Sequence, residues 1–167
     1  RFDFFCGGIA IPSRKIESER LLKKGSNGIE FFTTQVLYDS GKIKKMLNYY
    51  DEICKKNKVL PRRILLSFAP VSSKKNIEFL KWLGVEIPSL TEEHLISKGT
   101  EITKESLKIA TDILKDILLN NEKLGITVPI GLNVEHIMSY NFQYSINMLQ
   151  ELSKIYREFC IKTSLYD

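Results

Sequence analysis

Phe2-Asp3-Phe4-Phe5-Cys6-Gly7-Gly8-Ile9-Ala10-Ile11-Pro12 is the stretch that decides the fold. Apart from Asp3 it is apolar throughout, with two glycines in the middle and a proline at the end. Nearly continuous apolarity is what a parallel strand shows when both of its faces are covered. The flanking sequence supports that reading. A short helix is expected over about 18–24, closed by Gly25 and Gly28. A second strand, rich in Phe and Thr, follows over 29–38. Ile43, Met46, Leu47, Tyr50 and Cys54 then recur at helical spacing and predict a helix starting near Ser40 or Gly41.

The alternation continues to the end of the chain. Residues 63–70 read as the third strand. Ser72 or Ser73 is placed to cap a helix that buries Ile77, Leu80 and Leu83 and stops at Gly84. Residues 85–99 read as a connection with a short extended piece at 85–87. A long helix capped by Thr103 buries Leu107, Ala110, Leu114, Ile117 and Leu118 and ends at Gly125. The fourth strand spans 127–134, where Pro129 needs a bulge or an unpaired position. A last helix over about 141–159 buries Ile146, Leu149, Leu152 and Tyr156. Strand–helix alternation of this kind defines an α/β fold with a parallel sheet. Four such units leave two apolar sheet edges, which a missing segment or a partner chain is expected to cover.

Composition bounds the function. The 167 residues are 43% hydrophobic and 27% charged, those of one ordinary globular domain. No apolar run approaches the roughly 20 residues of a membrane span, and residues 1–11 lack the features of a signal peptide. A first residue of Arg1 rather than methionine suggests a piece of a longer protein. Cys6, Cys54 and Cys160 are far apart and odd in number, so a disulfide framework or zinc site is not expected, and a reducing cytoplasmic setting fits them as small buried side chains. The net charge of +5 is scattered over helix surfaces and predicts no nucleic-acid partner.

In parallel α/β folds ligands sit at the carboxyl ends of the strands. Those ends are Ile11-Pro12, residues 35–39, 68–71 and 133–136. Gln35 can donate and accept at once, which suits a ring edge carrying both N–H and carbonyl groups; a glutamine satisfied by nearby backbone is an equally good reading. Glu17, Arg20 and Lys24 share one helix face, where they either bind ribose and phosphates or form a solvated ion-pair stripe, the second being the commoner case. Phe79 and Trp82 can stack on a flat heterocycle or be core. Asp39 has a ready role at a helix N-terminus. No nucleophile triad, phosphate loop, dinucleotide fingerprint or metal-ligand spacing is present.

Gly7-Gly8-Ile9-Ala10-Ile11-Pro12, then Arg20-Leu21-Leu22-Lys23-Lys24, then a glycine turn and Phe31-Phe32-Thr33-Thr34-Gln35, then Tyr38-Asp39, follow a familiar order. With Ala69-Pro70-Val71-Ser72, Phe79, Val85-Glu86-Ile87-Pro88 and Gly131-Leu132-Asn133, the pattern resembles the methylenetetrahydrofolate reductase family. The resemblance implies a parallel (β/α)8 barrel, with residues 1–167 as its C-terminal part, about the last four βα units, and an N-terminal half or a second chain completing it. It implies FAD at the strand ends and hydride transfer from NADH or NADPH to a methylene-tetrahydropterin, in one-carbon metabolism and methionine biosynthesis. By motif, Gln35, Lys75 and Phe79 would place the substrate. The Ile11 backbone, Glu17, Arg20 and Lys24 would place the flavin. The family's catalytic acid falls outside this sequence. Ser13-Arg14 and Val134 depart from the family pattern, so a flavin-free relative passing hydride directly from NADH is also open. The reading from another class is a non-catalytic barrel that binds a pterin or nucleotide without turnover.

Overall fold

The computed structural model describes residues 4–164. In chain order they form β1 (Gly7–Ala10), α1 (Glu17–Ser26), β2 (Phe31–Thr34), α2 (Gly41–Lys56), β3 (Arg63–Phe68), α3 (Lys74–Trp82), α4 (Ser89–Ser97), α5 (Ile102–Leu124), β4 (Ile130–Val134) and α6 (Phe142–Ser164). The strands make one parallel sheet in the order β1-β2-β3-β4. This is the α/β architecture expected from the alternation. The strands are shorter than their apolar runs, because residues 4–6, 11–12, 29–30, 35–38 and 127–129 lie outside the strands; the portion of the first run at residues 2–3 lies outside the described residues.

One face of the sheet carries the main core. Ala10, Phe32, Ile64, Leu66, Phe68 and Ile130 meet Leu21 of α1, Leu47 and Tyr50 of α2, Leu114 and Ile117 of α5, and Met148 and Leu152 of α6. Alternate strand residues point the other way, and among the described residues no helix covers them. There Ile9 is 56% exposed, Phe31, Thr33 and Leu65 are half-buried, and Phe5 stacks on Phe31. Two glycines shape this second face. A Cβ on Gly7 would come within 2.5 Å of the Phe31 ring, and one on Gly131 within 2.5 Å of Leu65. The larger side chains thus lie across their small neighbours and give the uncovered face a flat surface.

A second cluster sits above the strand ends. Val36, Tyr38, Ala69 and Val71 from the loops pack with Ile77 and Leu80 of α3, Val85, Leu95 of α4 and Ile102. The helix α4 corrects the expectation of a connecting segment over 85–99. Of its nine residues only Leu95 is buried, so no apolar stripe announced it. Pro88 followed by Ser89 and Glu92 is the start signal the sequence did carry.

Other expectations change in detail. Ser73 caps α3 by accepting from the Asn76 N–H at 3.3 Å. Thr103 does not cap α5; a 3-10 turn at Gly99–Glu101 leads into it and buries Ile102 instead. Gly25 lies within α1, and Gly28, at φ +96°, makes the turn. Gly125 closes α5 at φ +60°, a left-handed value glycine adopts without strain. Pro129 precedes β4 and needs no bulge; its carbonyl accepts from the Ile64 N–H at 2.9 Å. Leu149 is 45% exposed, since α6 turns Ser145, Met148 and Leu152 inward. Only Cys54 is buried; Cys6 and Cys160 are exposed, correcting the reading of all three as small core side chains.

Side chains cap part of each sheet edge. On β1, the Ile11 N–H donates to Glu17 Oε1 at 3.1 Å and Lys24 donates to the Ile9 carbonyl at 2.7 Å. On β4, the Ile130 carbonyl accepts from Tyr156 at 2.7 Å and Arg63 at 3.1 Å. These groups serve as part of the missing ladder, so the edges are less bare than strand counting suggested.

Candidate functional site

The strand ends open into two adjoining cavities that share Gln35, Val36 and Val85. The larger, of about 720 Å³, lies between Ile11–Ser13, residues 35–39, the start of α2 and residues 84–89. Its size suits a whole organic ligand, for which roughly 300–1,000 Å³ is usual. The smaller, of about 180 Å³, is walled by Ile9, Leu83, Val85 and Ile137 and bears Gln35 and Glu135. The segment from Gly84 to Ser89, between α3 and α4, supplies the far wall of the larger cleft. Leu83, expected in the core, is 47% exposed and faces the smaller cavity.

Backbone bonds continue the ladder past the strands and fix this mouth. The Gln35 N–H donates to Ala10 at 2.9 Å, Leu37 to Ser67 at 2.9 Å, and Glu135 to Phe68 at 2.8 Å. Thr34 Oγ1 accepts from the Ser67 N–H at 2.9 Å, and Asn133 Nδ2 donates to Ser67 Oγ at 3.0 Å. Burial raises the Glu135 carboxyl above the ordinary glutamate pKa, with the Ser67 hydroxyl partly offsetting it. Tyr38 donates to the Ala69 carbonyl at 2.9 Å, and burial pushes its phenol well above its usual range.

Charged groups tie the rim of the larger cleft together. Lys42 of α2 pairs with Glu86 across the opening. That ammonium, and then the Ser13 hydroxyl, hold Glu86 below the usual carboxylate range. Asp39 accepts from the N–H groups of Gly41 and Lys42 at 3.0 and 3.3 Å, the helix-start role expected of it.

Of the residues expected to place a ligand, the structure brings Gln35 and Ile11 to the cleft. Glu17 is buried beneath three cations: Oε2 lies 3.8 Å from Arg14 and 3.7 Å from Arg20, and Oε1 lies 3.6 Å from Lys24. In this structure Glu17 and Lys24 hold the end of β1, while Arg14 and Arg20 pair with the buried carboxylate. Lys75 is exposed on α3, and Phe79, half-buried, stacks on Trp82 with centroids 5.7 Å apart. Neither Lys75 nor Phe79 lines the two cavities. Glu135 lines the smaller cavity and lies in the strand end 133–136 read from sequence, which assigns it no role there. Ser67 and Asn133, at paired positions of β3 and β4, lie beside it, and the period-2 pattern puts both on one face of the sheet.

In α/β proteins with a parallel sheet, a cavity at the strand ends is where small molecules commonly bind. Among solved structures, the chain is similar to an uncharacterized protein from Clostridium thermocellum that binds two copies of 5-methyl-5,6,7,8-tetrahydrofolic acid. The two share 26% identity with a TM-score of 0.79 over 92% of this chain. The match spans 55% of that protein's length. No family model matches the chain, and no curated protein matches it. These findings correct the reductase resemblance. The structural neighbour is a folate-binding protein and not a methylenetetrahydrofolate reductase, and the chain itself is a four-stranded α/β domain, not half of a reductase barrel. The Gly-Ile-Ala, Thr-Thr-Gln and Leu-Asn stretches lie in or at the ends of strands here, a placement that says nothing about chemistry by itself. Among the described residues, no helix is long and apolar enough to cross a membrane.

Proposed function

We propose that the chain is a binding module for a reduced pterin of the 5-methyltetrahydrofolate type, held at the strand ends with Gln35 against the ring. The observation that carries this reading is the ligand of the structural neighbour. The mouth supports it: a mostly apolar cleft with a few polar groups is the usual composition of such a site. The reading takes the non-catalytic side of the two open from sequence. Oxidation of NADH or NADPH with a methylene-tetrahydropterin is the assay that separates the two: a binding module leaves the nicotinamide reduced.

Isothermal titration of the purified protein with 5-methyltetrahydrofolate tests the proposal. Saturable binding is expected. No heat at millimolar ligand, which places ΔG weaker than about −4 kcal/mol, overturns it.

The architecture enters the same proposal. The flat apolar face formed by Ile9, Phe31 and Leu65 supports a (β/α)8-type barrel in which further strands, from an N-terminal half or a second chain, cover it. In that arrangement the mouth described here is one half of the barrel's carboxyl-end rim.

A further inference from the structure

We infer that Glu135 is the carboxylate that reads the amino-lactam edge of the pterin, its 2-amino and ring N–H donors, inside the small cavity shared with Gln35. This inference rests on the pterin-binding reading and names the group that fixes the ring's orientation.

Three observations carry it. The cavity is apolar except at Thr34, Gln35 and Glu135, and Thr34 already accepts a bond from the Ser67 N–H. Polar capacity for a ligand is therefore concentrated in the Gln35 amide and the Glu135 carboxylate. Glu135 is also held in place at the cavity wall. Its backbone N–H donates to Phe68, and its side chain neighbours the Ser67 hydroxyl, which Asn133 holds. One hydroxyl donor leaves a carboxylate, which has about four acceptor positions, short of partners in a half-buried place. Burial accordingly disfavours its charged form.

The missing donors define the ligand. Two N–H groups side by side on a planar edge satisfy a carboxylate as the arms of a guanidinium do. The pyrimidine part of a pterin presents that pair, with a carbonyl beside it for an amide donor such as Gln35. Ile9, Leu83, Val85 and Ile137 supply apolar surface for the ring. The small cavity is well below the volume of a complete folate site, so the ring occupies it and the aryl tail extends into the adjoining cleft of about 720 Å³.

The test measures 5-methyltetrahydrofolate affinity by calorimetry for the full chain and for Glu135→Gln, with thermal melts to establish folding. Loss of a charge-assisted pair predicts binding about 10- to 100-fold weaker in the variant. With a 2-desamino analogue the two proteins should differ by no more than about threefold, because the shared donor is gone. If wild type binds and Glu135→Gln binds equally well, the Glu135 assignment fails while pterin binding stands. If wild type binds neither ligand, the pterin reading itself fails. Should the variant unfold, wild type alone decides: equal affinity for the natural and desamino ligands overturns the assignment, and a loss of about tenfold or more upholds it.

Discussion

The two ends of the sheet use polar residues in opposite ways. At the amino-terminal end Asp51 and Tyr50 are both satisfied within the chain. Asp51 accepts from Thr127 N at 2.8 Å and Oγ1 at 2.6 Å and pairs with Lys55 at 2.5 Å. Tyr50 accepts from the Arg62 N–H at 3.0 Å, and burial raises its phenol to about 12. At the carboxyl end, Gln35 and Glu135 face cavities with capacity to spare. Closed networks tie α2 to the loops that start β3 and β4, whereas open ones give a ligand something to bond. On the proposed reading, the difference separates stability from recognition along about one strand length.

Four substitutions or conditions would break that contrast. Asp51→Ala has the largest expected effect, because it strands two Thr127 donors. A loss of about 2–3 kcal/mol, or roughly 5–10 °C in melting temperature, is expected with pterin affinity unchanged. A fall in affinity would show that the two ends are coupled. The same carboxylate sets an acid limit. Burial would raise its pKa, but Lys55 and Thr127 outweigh burial and hold it below the ordinary 3.8. A lowered folded-state value means that the contribution is complete above 3.8 and is lost as pH falls through the folded value. The melting difference between wild type and Asp51→Ala should therefore shrink on acidification below about pH 4; a constant gap would deny the carboxylate its role.

Gln35→Ala should act at the other end alone. Binding weaker by about tenfold with an unchanged melting curve is expected, since the backbone bond to Ala10 remains and only the amide is lost. Unchanged calorimetric affinity would place the ligand elsewhere. Lys74→Ala is the smallest case. Its pair with Glu78 is 3.8 Å long and exposed on both sides, so melting and binding should both stay within about 0.5 kcal/mol of wild type. A larger change would expose a role for α3 that its geometry does not provide.

Much of the fold was legible because parallel strands and amphipathic helices write their periods into the sequence. Ile43, Met46, Leu47, Tyr50 and Cys54 are all buried as their spacing required. Helix α4 was illegible because it shows almost no sidedness. Leu83 and Leu149 were misplaced because apolarity says a residue prefers burial, while the end of α3 and the rotation of α6 decide whether burial is on offer. In the site, Gln35 could be read from its place after Phe31-Phe32-Thr33-Thr34. For Glu135 only its place at the strand end 133–136 could be read; its setting beside Ser67 and Asn133 comes from a pairing of β3 with β4 across more than 60 residues. The Glu17–Arg20–Lys24 stripe was visible as a stripe, but which backbone it faced was not.

The side chains on the two sheet borders have a kinetic consequence. Any incoming strand must first displace Lys24 from Ile9 on one flank and Tyr156 from Ile130 on the other. Each latch includes a charged donor, the Lys24 ammonium on one flank and, beside the Tyr156 hydroxyl, the Arg63 guanidinium on the other. The charged part of that hold weakens as ionic strength rises. Lateral growth on either flank is thus opposed least at high salt.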